Sequence, residues 1–150
     1  MNLGGIFALF GFNEEDKEDK KLKKELEAFK ETPHFKIKMF IKMVMNGISF
    51  KKQIVGFFSK TDEDLDIVGI NEAGDFMMYN RAFYWISECN IRKKVWKEAL
   101  TLNACEELLF CVKISIKYFE NIEEYEKCAF LIKIQKFIEK EIFKVSFKEA

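Results

Sequence analysis

Histidine, proline and arginine are nearly missing from this chain. One histidine (His34), one proline (Pro33) and two arginines (Arg81 and Arg92) are spread over 150 residues. Each scarcity narrows function. Activating a serine or cysteine nucleophile normally needs a histidine or lysine base held by a third group, and His34 stands alone in the first turn after Pro33. Two-pronged recognition of phosphates and guanine edges leans on arginine, whereas lysine acts as a point charge, so sequence-specific reading of nucleic acid is disfavoured. No glycine-rich loop follows a strand pattern, which removes the usual phosphate cradle. The four cysteines (Cys89, Cys105, Cys111, Cys128) form no C-x-x-C pair and sit among apolar neighbours. They read as reduced, buried thiols of a cytoplasmic protein, or of a virion assembled in the cytoplasm. Zinc requires closely paired ligands, and His34 is distant from all four. No apolar run is long enough to span a bilayer.

What is present is a helical vocabulary. Hydrophobic residues make up 49% and charged residues 33%, enough for one core in one domain, burying roughly 70% of the surface of the unfolded chain. Acids and bases balance at 25 each, and nearly all the bases are lysine. The excess of Lys, Ile and Phe over Arg, Ala and Pro is what AT-rich codons produce. It points to a low-GC bacterium, one of its phages or another AT-rich virus.

Three regions follow one another. Residues 1–12 carry no charged side chain; on a helix Leu3, Phe7 and Phe10 share a face with Ile6 beside them, a segment suited to docking. Membrane contact through it is disfavoured, because Glu14, Glu15 and Asp16 are repelled by anionic lipid. Residues 13–31 read as a charged, exposed helix, with Asn13 as its cap and a thin stripe of Leu22, Leu26, Ala28 and Phe29. Residues 32–150 read as a helical core domain. Thr32-Pro33 opens a strongly apolar helix that Gly47 is expected to end, and a shorter helix is expected from Ser49 to Ser59. Thr61–Gly74 reads as an acidic loop with a short extended piece at Ile67–Ile70, and Asp75 as the cap of the next helix. Further helices run through Val95–Leu100, from Asn103 through Phe119, and from Asn121 toward Ile142. The alternation Lys113–Lys117 is assigned to helix because its flanks are helical. The fold class is therefore all-α: an irregular bundle of six or seven antiparallel helices with an acidic loop near 61–74. Tyr118–Glu139 (YFENIEEYEKCAFLIKIQKFIE) resembles a single helical-hairpin module of the tetratricopeptide and UVR kinds. An array needs a second copy at a fixed period and none is present, so the stretch reads as a generic helical hairpin.

The chemical motifs are weak. Asp62, Asp64 and Asp66 imitate the opening of an EF-hand loop, but its sixth and twelfth positions are Ile67 and Ala73 rather than Gly and Glu. Glu106 and Glu107 are adjacent on a helix and point about 100° apart, so they cannot share a site. No metal or cofactor is assigned and no enzyme is expected. Charge blocks are clearer: residues 33–60 hold six Lys and no acid, and residues 61–75 hold six acids and no base. Lys51, Lys52, Arg92, Lys93, Lys94 and Lys97 are the candidates for electrostatic contact, with Trp96 read as turned into the core. Tyr79, Phe83, Tyr84 and Trp85, with Met77 and Met78, form the densest aromatic cluster, and those four aromatics, with Leu3, Ile6, Phe7 and Phe10, are the candidates for binding a partner. The expectation is a non-enzymatic interaction or assembly component, such as a phage or viral structural or accessory protein, contacting other chains or copies of itself. The alternative is a small regulatory protein that contacts nucleic acid or the transcription machinery through Lys-rich helices.

Overall fold

The computed structural model describes residues 12–58, 60 and 66–149. Six helices account for nearly all of them: α1 Phe12–Lys30, α2 Pro33–Phe58, α3 Ile67–Ile86, α4 Lys94–Asn103, α5 Glu106–Asn121 and α6 Tyr125–Glu149. Among the described residues there is no strand, and Lys113–Lys117 is helical within α5.

One hydroxyl links α1 to α2. Thr32 Oγ1 donates to Phe29 O at 2.7 Å and accepts from Phe35 N at 3.3 Å, closing one helix and capping the next, with Pro33 in the first turn where no amide is needed. Beyond it the expected break at Gly47 does not occur. The helix expected over Ser49–Ser59 is the second half of α2. Gly47 serves close approach instead of termination: a Cβ there would strike Met78 Cγ on α3.

The expected loop over Thr61–Gly74 is also corrected. Residues 61–65 lie outside the described residues, but from Ile67 the chain is already α3, so the piece Ile67–Ile70 is its first turn and not extended. Asp66 provides the cap, its carboxylate accepting from Gly69 N at 2.9 Å. Asp75 stands inside the helix and pairs with Lys51 at 2.8 Å.

Two asparagines read as helix starts are helix ends. Asn103 finishes α4, and Cys105 caps α5 by accepting from Leu108 N at 3.5 Å. Asn121 finishes α5, after which Glu124 N donates to Phe119 O at 2.9 Å and Glu123 N to Glu120 O at 3.1 Å, a Schellman closure with Glu123 left-handed at φ 63°. Asn13 lies within α1 and does not cap it.

α2 runs beside α3, with Lys36 against Glu88, Gly47 against Met78 and Lys51 against Asp75. α5 runs beside α6, where Cys128 Sγ donates to Ile116 O at 3.6 Å and Lys113 meets Glu139 at 3.7 Å. α2 also packs on α4 and α5, and the core lies between these layers around Phe40 and Phe119, the largest fully buried side chains. Its two buried polar residues among those described are satisfied: Ser115 Oγ donates to Cys111 O at 2.7 Å, and Asn103 donates to Ala99 O at 2.7 Å. Cys89, Cys111 and Cys128 are buried, as expected. Cys105 is exposed, because capping α5 holds it in the turn between helices.

Candidate interaction site

The core stops short of one end of the α2–α3 pair. α2 buries Ile37, Phe40, Ile41 and Val44, and among the described side chains none after Val44 is buried; α3 buries none before Tyr79. The last turns of α2 and the first turns of α3 thus form a two-helix projection with no third layer among the described residues. It exposes large apolar side chains that such a layer would cover: Phe50 at 61%, Met77 at 54% and Ile70 at 38%.

Between the two helices lies a cleft of about 680 Å³. Its formation follows from small residues. Gly47 lets Met78 sit against the backbone of α2, and Gly74 has open space where a side chain would stand. Met43, Met77 and Met78 line the cleft, and methionine's unbranched thioether adapts to irregular apolar surfaces. The wall is held by the Lys51–Asp75 pair, and Arg81 lines the α3 side. Arg81 is exposed and has no ion-pair partner among the described residues.

The residues singled out from the sequence separate in space. Tyr79 is corrected from contact surface to core: it is buried and stacks on Tyr118 with ring centroids 4.3 Å apart. Burial, with a smaller contribution from Asp75, pushes its hydroxyl up to about 12. Phe83 is half-buried, set edge-on against Phe119 and Phe130 with Lys127 over its ring. Trp85 is half-buried against Phe35 at 5.8 Å, and only Tyr84, 72% exposed, faces outward. The apolar residues of α3 are not confined to one face, and its first half feeds the cleft while its second half feeds the core. Leu3, Ile6, Phe7 and Phe10 lie outside the described residues.

Of the charged candidates, Lys52, Arg92, Lys93, Lys94 and Lys97 are exposed, Lys94 near Glu98 at 3.8 Å, while Lys51 is engaged by Asp75. Trp96 is buried among them at 6% exposure, so it offers no stacking face. Phe50 and Ile70 drew no functional reading from the sequence, whereas Met77 and Met78 belong to the cluster expected at an interface, and both line the cleft. Phe50 and Ile70 look like ordinary core positions until the other helix is in place.

Among the described residues no three His, Cys, Asp or Glu side chains are grouped to hold a metal. Burial pushes the Cys89 and Cys111 thiols up to about 12, far from nucleophilic thiolates. His34 is occupied by Asn103 at 3.0 Å. No described helix is long and apolar enough to cross a membrane. Compared with protein-family models, curated proteins and solved structures, the chain matches none.

Proposed function

We propose that the protein is a non-enzymatic interaction or assembly component, an irregular bundle of antiparallel helices that receives an amphipathic helix of a partner protein in the α2–α3 cleft. The two-helix projection carries this reading. With no third layer among the described residues, Phe50, Ile70 and Met77 stand exposed, and exposed apolar surface of that kind is characteristic of a protein-binding surface.

The dimensions and charge favour a helical occupant. The cleft follows α2 from Met43 to Ile54, about 17 Å at 1.5 Å per residue, which is three turns of a docked helix with anchors at i, i+3, i+4 and i+7. Arg81 selects an occupant with a carboxylate at one end of its apolar stripe. An accessory role in assembly, in a phage or virus with an AT-rich genome, agrees with the composition. Nucleic-acid contact through Arg92, Lys93, Lys94 and Lys97 has weaker support, since the aromatic residue beside them is buried.

Selection of displayed random peptides on the purified protein tests the reading. Helical peptides with spaced apolar anchors and an acidic residue should be enriched. Their binding should fall at least tenfold with Phe50→Asp or Met77→Asp and weaken with Arg81→Glu. Both apolar positions are exposed, so these variants should fold. Enrichment of nothing, or of peptides indifferent to Phe50→Asp and Met77→Asp, counts against it.

A further inference from the structure

We propose that α1 is a self-association helix through which two copies of this chain pair in parallel along Leu22, Leu26 and Phe29. This surface is separate from the α2–α3 cleft, and the inference does not rest on that reading.

Every described side chain of α1 from Asp16 to Lys30 is exposed, including Leu22 at 60%, Leu26 at 51% and Phe29 at 49%. Among the described residues the helix meets the body near its end, where the Phe29 and Phe35 rings stand edge-on at 5.4 Å. The apolar spacing of four and then three residues is that of a coiled-coil seam, with Leu22 and Phe29 at d and Leu26 at a.

The flanking charges identify the occupant and its direction. In that register Glu18 and Glu25 take the g positions, and Lys23 and Lys30 take the e positions. Parallel pairing sets each g residue against the next e residue of the other helix: Glu18 against Lys23, and Glu25 against Lys30, both attractive and each occurring twice by symmetry. Antiparallel pairing would set Glu against Glu and Lys against Lys. Charges at e and g govern partner and orientation in this way. None of the four makes an ion pair among the described residues, so they are available to a second copy. Asp19 at the preceding a position brings like charges together and limits the apolar seam to the part of α1 nearest the body.

Sedimentation velocity of the full chain, from micromolar to submillimolar concentration, is the test. The expected result is a concentration-dependent dimer that Leu22→Asp/Leu26→Asp abolishes without changing helicity or melting temperature, both positions being exposed. Lys23→Glu/Lys30→Glu should weaken the dimer roughly tenfold or more, and mixing that variant with Glu18→Lys/Glu25→Lys should restore pairing between the two. Asp19→Leu should tighten it. A wild-type chain monomeric throughout overturns the proposal. So does a dimer that survives Leu22→Asp/Leu26→Asp, or charge variants that fail to pair when mixed. Phe50→Asp/Met77→Asp should leave this dimer intact, so failure here and failure of the cleft reading are distinguishable.

Discussion

The amide nitrogen of Asn103 donates to two acceptors at once, Ala99 O at 2.7 Å and His34 Nδ1 at 3.0 Å. The Ala99 carbonyl settles which end of the amide is nitrogen, because an oxygen there would face another oxygen. His34 Nδ1 must then be the acceptor, and the ring proton sits on Nε2. A buried residue ending α4 is thereby tied to the first turn of α2, 69 positions earlier. Asn103→Ala removes both bonds and leaves the half-buried imidazole nitrogen unpaired, which should cost about 1–3 kcal/mol of stability by urea denaturation. A loss within error of zero would mean that water replaces the amide without penalty.

Gly47 and Met78 give the second prediction. Alanine normally improves a helix interior by about 1 kcal/mol over glycine. Here its Cβ would collide with Met78 Cγ, an atom close to the backbone and not at the mobile tip of the side chain, with Sδ only 3.0 Å away. Gly47→Ala should therefore destabilise the fold, and Met78→Ala in the same chain should recover the helix-propensity gain. The coupling between the two substitutions, measured as a double-mutant cycle, should be favourable and of order 1 kcal/mol. Additive effects would show that α2 and α3 do not press together at this point.

The same glycine shows where reading a sequence reaches its limit. A glycine that ends a helix and one that admits a neighbouring helix look alike in the chain, because the difference is made by Met78, which arrives from another element. The Thr32-Pro33 start is legible because everything it needs lies within three residues. Asn103 looks like a cap for the same local reason, yet its partner is His34. Asp66 and Asp75 are both competent caps, and it is Asp66 that meets an amide in the first turn of α3. The exposed stripe of α1 is legible as a 4-3 spacing. The cleft is legible only in part: Met77 belongs to the cluster expected at an interface, but Phe50 has ordinary core spacing and is exposed because the core ends at Val44 and Tyr79.

Glu123 supplies the third prediction. It occupies the left-handed position of the α5–α6 turn at φ 63°, a conformation that costs a residue with a Cβ about 1–2 kcal/mol. Glycine there loses more freedom on folding but relieves that strain, so Glu123→Gly should stabilise the protein by about 0.5–1 kcal/mol. The urea midpoint should rise at unchanged slope. A fall would show that the glutamate side chain contributes more than its backbone costs.

The thiols yield a prediction in both kinetics and pH. Cys105 is exposed and Cys89 and Cys111 are buried, so a thiol reagent at neutral pH should modify Cys105 first and reach the buried pair only on unfolding. Burial raises Cys89 and Cys111 from an ordinary value near 9 to about 12, and Tyr79 from 10 to about 12. In the unfolded chain these groups ionise from pH 9 upward, while the folded chain holds them neutral. Stability is therefore complete below pH 9 and declines as pH climbs toward 12. Cys89→Ala removes one of these thiols at the cost of a small cavity, so its stability at pH 7 should be lower than wild type and its decline above pH 9 shallower. Equal slopes in the two chains would mean that Cys89 ionises as readily folded as unfolded, which is incompatible with its place in the core.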